Sequence, residues 1–293
     1  MTEPVIEPEP GKDQIFSDIG TYVEVLQAQY DVGQLSIWGG KIHPAFGRAW
    51  DVTPGLHGTD LAETYELAER LGGGAGFNFE AAGLANRFEV SAFTVDRTFL
   101  SESLFTNRGR TALADGGAGN TKGVSSFSAA LGGCMEAEVD GCYDEGSFGY
   151  QIAARYQTGG RGSEGNEFGF SGSLNKAFSL GEEAMLRLFA ETAWFRNFDG
   201  GADDVFAITS SSALELGQIT YSVAYSQLRV LVEGEVDVAE HLIDTTAMYD
   251  LGEHASITGE KWSIGAGYAY DRADGENSHS IGLRLSSEFG GNI

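Results

Sequence analysis

The sequence has no run of about eighteen consecutive apolar residues, so a transmembrane helix is excluded. Proline is scarce, with 5 in 293 residues, and no Pro/Ser-rich linker divides the chain. We therefore predict a single folded domain over residues 18–293. Residues 1–17 precede it as an acidic, disordered segment or loop.

The start of the chain also lacks the features of a signal peptide. Met1 precedes an acidic run with Pro4, Pro8 and Pro10, instead of basic residues and an apolar core. On this feature alone a cytoplasmic protein is the better interpretation. Export would require that the sequence be a mature form or a fragment.

Basic residues are few, with 18 Lys and Arg against 43 Asp and Glu, which gives a net charge of −25. Nucleic-acid binding needs a basic face and is excluded. The acidic excess fits a solvated surface or an interior that attracts cations. The motifs G-x-S-x-G, H-E-x-x-H and the P-loop are absent, so we predict no enzymatic activity and no cofactor.

Many segments alternate strictly between apolar and small or polar residues, which is typical of strands with two different faces. In one of them, residues 262–270, the apolar set is Trp262, Ile264, Ala266, Tyr268 and Tyr270. Thirteen strands are predicted in this way, over residues 21–30, 34–42, 73–82, 85–96, 122–132, 147–157, 166–178, 184–197, 203–213, 217–231, 242–250, 260–272 and 278–289.

The strands measure about nine to thirteen residues, as tilted membrane crossings do, whereas soluble strands average about five or six. Aromatic residues lie toward strand ends, and the second face is rich in Gly, Ser, Thr and Asn. We predict an all-β fold, an antiparallel transmembrane β-barrel of about 12–14 strands with long extracellular loops. A soluble barrel or sandwich is the alternative.

Bacterial barrels have even strand numbers, so a count of thirteen means a wrong strand, missing sequence or a seam closed by another chain. The joins support one orientation. Short joins fall on the predicted periplasmic side, at 31–34, 82–85, 179–183 and 214–217. Long joins fall outside, at 43–72 and 97–121, while 133–146 and 251–259 are longer than a periplasmic turn should be.

Residues 39–51 read GGKIHPAFGRAWD and are followed by Pro54-Gly55, Gly58-Thr59-Asp60 and Tyr65-Glu66-Leu67. The pattern Gly-Lys-x-x-Pro-x-Phe-Gly resembles phosphate-selective and related porins, and the longer run resembles porin-like outer-membrane proteins of alphaproteobacteria. The resemblance covers about residues 18–130. It implies a diffusion channel and does not imply a substrate.

Residues 59–70 suit a short helix, so the long join that contains them, residues 43–72, is predicted to fold into the lumen and narrow it. The pore-constriction candidates are charged residues at the end of the preceding strand, in this join and in residues 97–122, namely Lys41, Arg48, Asp51, Asp60, Glu63, Glu66, Arg108 and Arg110. The lumen-facing candidates are Glu89, Arg155, Arg187, Glu191 and Arg284.

Two alternatives stay open for these loops. The first loop packs over the mouth of the barrel, with Phe46, Trp50 and Tyr65 as its small core. The second loop, residues 97–122, carries a patch of basic residues. This patch either faces Glu89 and Glu191 across the lumen or is a solvated extracellular loop.

Cys134 and Cys142 lie in one join, and in an exported protein such a pair forms a disulfide. His43 and His57 match no standard metal-ligand spacing, so we expect surface histidines and no metal.

The function predicted from the sequence is passive diffusion of small hydrophilic solutes, with cation preference, through the bacterial outer membrane. The alternative is a plugged structural barrel that binds a partner or a surface polymer through its loops. The expected partners are outer-membrane lipid, small polar solutes, and either further copies of the chain or another outer-membrane protein.

Overall fold

The computed structural model describes residues 2–4, 19–103, 109–135, 148–232, 238–252, 261–273 and 275–288. Nearly all regular structure is β. The strands are β1 Thr2–Pro4, β2 Ile19–Thr21, β3 Leu26–Val32, β4 Leu35–Ile42, β5 Arg70–Ala81, β6 Leu84–Val95, β7 Ser126–Met135, β8 Phe148–Gln157, β9 Glu167–Ser179, β10 Ala184–Arg196, β11 Asp204–Leu216, β12 Ile219–Leu231, β13 Val238–Gly252, β14 Lys261–Ala273 and β15 Glu276–Glu288. Two one-turn helices are α1 Ala49–Val52 and α2 Asp60–Glu63, and short 3₁₀ turns cover Phe99–Ser101, Leu113–Asp115 and Phe198–Gly200.

Strands β3 to β15 form one antiparallel sheet of thirteen strands in chain order, and β1 pairs with β2 separately. The thirteen predicted strands each overlap one of these, so the all-β antiparallel fold and the strand count are confirmed. Among the described residues no pairing joins β3 to β15, and the sheet is therefore open. In the same part of the chain, no helix is long and apolar enough to cross a membrane.

The two faces of the sheet reverse the usual relation between polarity and burial. On β9, Phe168, Phe170 and Leu174 are 45%, 55% and 57% exposed, while Ser171 and Ser173 on the opposite face are 8% and 4% exposed. The other central strands follow the same rule, with exposed Leu, Ile, Val and aromatic side chains against buried Ser, Thr, Asn and charged ones. We call the apolar side the outer face and the polar side the inner face.

The connections differ between the two ends of the sheet. At one end, β3–β4, β5–β6, β9–β10 and β11–β12 are joined by two to four residues, and we call it the short-turn end. The opposite, long-loop end carries residues 43–69 and 96–125. This is the distribution predicted from the sequence. The two unusually long joins at the short-turn end contain residues 136–147 and 253–260, which lie outside the described residues.

Residues 43–69, which we call the inner loop, pack against the inner face. The loop contacts strands far apart in the sheet: Arg48 bonds Asn175 on β9, His57 bonds Asp244 on β13, and Leu56 lies over Gly282 on β15. One loop can reach all of them only because the sheet curves around it. Most of its buried apolar residues join those of the sheet in one cluster, and Leu61 packs separately against Leu242 and Ala269.

A run of glycines on β5 lets this strand pack closely beside its neighbours β4 and β6. A Cβ atom on Gly74 would lie 2.6 Å from the Val90 carbonyl oxygen and 2.7 Å from Trp38 Cε2. Backbone atoms cannot move aside as a flexible side chain would, so any larger residue at this position strains the sheet.

We expect Gly74→Ala to lower the free energy of unfolding by about 1–3 kcal/mol, because the added methyl overpacks the sheet. The matched control is Gly172→Ala on β9, where a Cβ meets nothing within 4 Å. Urea unfolding followed by tryptophan fluorescence measures both. Equal stability of the two variants would contradict the packing described for β5.

Candidate functional site

A single buried carboxylate fastens the inner loop to the sheet. Glu191, on the inner face of β10, is 1% exposed. It accepts hydrogen bonds from the backbone N–H of Arg48 at 2.6 Å and of Ala49 at 3.3 Å, and from the Tyr65 hydroxyl at 2.9 Å. Hydrogen bonds to a charged acceptor are stronger than neutral ones, so these three hold both halves of the loop against β10.

Arg155 on β8 supports the same region from the neighbouring side. Its guanidinium bonds Glu167 at 2.6 Å and donates to the Tyr65 carbonyl oxygen. It also lies over the rings of Phe46 and Phe195, at 4.7 and 4.4 Å from their centroids. A guanidinium is well suited to this position because it stacks on aromatic rings while its edge donates hydrogen bonds.

Tyr65 stays a hydrogen-bond donor over a wide pH range. Its burial, together with the neighbouring negative charge of Glu191, raises the pKa of the hydroxyl well above its usual value. The neutral hydroxyl therefore keeps its bond to the carboxylate. Burial also raises the pKa of Asp60 on α2, although the nearby His57 partly opposes that shift.

A second buried carboxylate, Asp244 on β13, holds the middle of the loop. It accepts from the backbone N–H of His57 at 3.0 Å and from the Thr246 hydroxyl at 2.9 Å. Thr246 in turn accepts from the N–H of Leu56 at 3.1 Å. A Cβ on Gly55 would lie 2.1 Å from an Asp244 oxygen, and φ there is +123°, so this position requires glycine.

Open space remains on the inner face between the loop and the short-turn end. One cavity of about 600 Å³ is lined by Arg48 and Asp51 of the loop, by Gln151 of β8 and by Arg284 of β15. A second cavity of about 580 Å³ continues toward the short-turn end, and Arg284 also lines it. The two cavities therefore adjoin at Arg284, and the wall of each combines polar with apolar surface.

The constriction candidates separate into two groups. Arg48 and Asp51 line the first cavity. Lys41 instead is buried against Glu69 at 2.6 Å and Asp96 at 3.3 Å, where it ties together the two long loops.

The remaining constriction candidates have local partners. Asp60 contacts His57 at 3.2 Å, Glu63 accepts from Thr59, and Glu66 lies beside His43. Exposed Arg110 donates to the Arg97 carbonyl oxygen, and Arg108 lies outside the described residues.

Most lumen-facing candidates form ion pairs along the inner face. Glu89 pairs with Arg87 at 2.5 Å, Arg155 with Glu167, and Arg187 with Glu215 at 2.7 Å. The partners Arg87, Glu167 and Glu215 are not among the candidates predicted from the sequence. For Arg87 and Glu167 the alternation with other inner-face residues is the signal that identifies them, for example Glu167 with Gly169 and Ser171. Glu215 lies beyond the predicted strand 203–213, so the alternation did not reach it.

The alternative in which the inner loop has a small core of its own agrees with the structure in part, because Phe46 and Tyr65 are buried together with a residue of the sheet. The ring centroids of Phe46 and Tyr65 each lie 5.6 Å from that of Phe195 on β10, so the sheet contributes to this core. Cys134 is buried on β7. Cys142 lies outside the described residues, so the disulfide stays a prediction.

Neither protein-family models nor curated proteins match this chain. The fold and the site alone define its class. It is an all-β protein in which one curved thirteen-stranded antiparallel sheet holds a folded loop against its polar face.

We expect Glu191→Gln to release the inner loop, because an amide cannot accept three hydrogen bonds as a carboxylate does and presents its own donors to N–H groups. Arg48 is the only Lys or Arg within residues 43–69, so tryptic cleavage after Arg48 reports opening. Cleavage should be faster in Glu191→Gln than in Glu182→Gln, a control in an exposed turn. Equal cleavage rates would contradict the anchoring role.

Proposed function

We propose that this chain is a bacterial outer-membrane β-barrel that lets small hydrophilic solutes diffuse passively, with a preference for cations. The observation that carries the proposal is the reversed polarity of the two faces. An apolar face that is exposed over many strands is unfavourable in water but suits lipid. A face of Ser, Thr, Asn and charged residues suits a lumen that holds water.

The proposal requires that the sheet close, because lipid offers no partners for the backbone groups of an open edge. Strands β3 and β15 run in the same direction, since successive strands alternate and thirteen is odd. Closure therefore takes either a parallel β3–β15 pair or one further strand between them. The short-turn end would face the periplasm and the long loops the outside, as in other outer-membrane barrels.

A charge on the outer face tests the membrane location. Leu174 lies at the middle of β9 and is 57% exposed, and Val124, outside the strands, is 56% exposed. In lipid, Leu174→Arg should cost about 2–4 kcal/mol of folding free energy, as expected near the bilayer midplane.

The control Val124→Arg should cost no more than about 0.5 kcal/mol, as at most surface positions. Reversible unfolding in lipid vesicles measures both variants. If both substitutions are equally mild, the outer face is not in lipid.

The route for solutes would run past Arg48 and Asp51 and then along Arg284, where the two cavities adjoin. Many inner-face cations are already paired with carboxylates, whereas the whole chain carries a net charge of −25. Cations should therefore be concentrated near and within such a channel.

Planar bilayers should show stepwise conductance with a reversal potential that favours cations. Arg284→Glu should strengthen that preference, because the substitution reverses a charge on the cavity wall. Arg196→Glu, at an exposed position at the end of β10, should leave selectivity unchanged. A reversal potential that favours anions would contradict the predicted selectivity.

A plugged structural barrel is the second candidate, and the burial of the inner loop favours it. Phe46, Tyr65 and Leu67 are only 1–2% exposed, so the loop is packed rather than draped along the wall. Ile42 and Arg70 are register partners in adjacent strands, so a tight turn can replace residues 43–69.

This loop replacement separates the two candidates. A channel conducts with the loop present, and the replacement enlarges its conductance. A plugged barrel is silent until the loop is replaced. Absence of conductance in both proteins, when both are folded, would rule out a lumen that passes solutes.

A further inference from the structure

Three side chains from separate segments meet at the start of the inner loop. Glu24 precedes β3, His43 follows β4, and Glu66 follows α2. One ligand atom from each lies within 4.8 Å of the other two. His43 Nε2 is 3.7 Å from Glu24 Oε1, and His43 Nδ1 is 3.1 Å from Glu66 Oε1.

Two of these atoms are buried without a hydrogen bond. His43 Nε2 and Glu66 Oε1 are inaccessible to solvent and have no hydrogen-bond partner among the described residues. Burying such atoms without a hydrogen bond is unfavourable, so a bound partner would be stabilising. The distance of 3.1 Å between His43 Nδ1 and Glu66 Oε1 is short, but the two atoms do not have the geometry of a hydrogen bond.

The ligand atoms around a metal ion lie close to one another without forming hydrogen bonds. Bonds of about 2.0–2.2 Å from one ion place neighbouring ligand atoms roughly 3.0–3.5 Å apart. The ligand atoms of the Glu24–His43–Glu66 cluster lie within 4.8 Å of one another. The two carboxylates approach different nitrogens of the ring, so one of them has to turn toward the nitrogen that binds the ion. Imidazole nitrogen with two carboxylates is a ligand set suited to divalent transition metals.

We propose that Glu24, His43 and Glu66 bind a divalent transition-metal ion of the Zn²⁺ type. His43 also lines the first cavity, from which water can fill the remaining coordination position. The ion would tie the stretch before the edge strand β3 to the inner loop. This site does not depend on whether the chain conducts.

Calorimetric titration of the folded, tag-free chain with ZnCl₂ tests the site. We expect saturable binding of one ion per chain. His43→Gln and Glu66→Gln should each weaken it by about tenfold or more, because each removes one of three ligands. The matched control is His57→Gln, since His57 contacts a carboxylate, Asp60, but lies outside the cluster. It should bind as the unmodified chain does.

Trp50 offers a second readout, because its ring centroid is 6.0 Å from that of His43. Cu²⁺ should quench its fluorescence in the unmodified chain and leave the emission of Trp50→Phe nearly unchanged. If His43→Gln does not fold, Glu24→Gln decides the question alone. No saturable heat with millimolar Zn²⁺, or equal affinity in the ligand variants and the unmodified chain, would overturn the proposal.

Discussion

The burial of one negative charge determines much of this structure. Glu191 is almost fully enclosed, and an enclosed carboxylate is tolerated only when hydrogen bonds replace its water. Here the donors come from both halves of the inner loop, Arg48 and Ala49 at the start of α1 and Tyr65 after α2. The loop therefore cannot leave the sheet without exposing apolar rings and leaving a charge without partners. Asp244 holds the middle of the loop in the same way, by accepting a hydrogen bond from its backbone.

The inner face is polar because it has a partner of its own. Arg155 bonds Glu167 and the Tyr65 carbonyl while it stacks on Phe46 and Phe195. A polar sheet face, an aromatic cluster and a folded loop thus form one continuous packed region. Toward the short-turn end this packing gives way to open space, and the cavities begin there. The filled part of the inner face favours the proposed plugged barrel, and the open part favours the proposed channel.

Local patterns in the sequence predicted most of the fold. Period-two alternation gave the strands and their faces, because side chains on a strand alternate strictly, and join lengths separated the two ends. The site was less predictable. Glu191 contacts residues 126 to 143 positions away, and no local pattern encodes such a contact. The same holds for Glu24, His43 and Glu66, which come together only because β3, β4 and the inner loop are neighbours in space.

The central claim is that the outer face lies in lipid, and two tryptophans test it directly. Trp194 stacks on Phe170 on the outer face, whereas Trp38 lies under Arg87 on the inner face. Each is studied as the sole tryptophan, in vesicles of lipid with brominated acyl chains, which quench indole fluorescence on contact. The account predicts strong quenching of Trp194 and little quenching of Trp38. Equal quenching of the two, or none of Trp194, would contradict it.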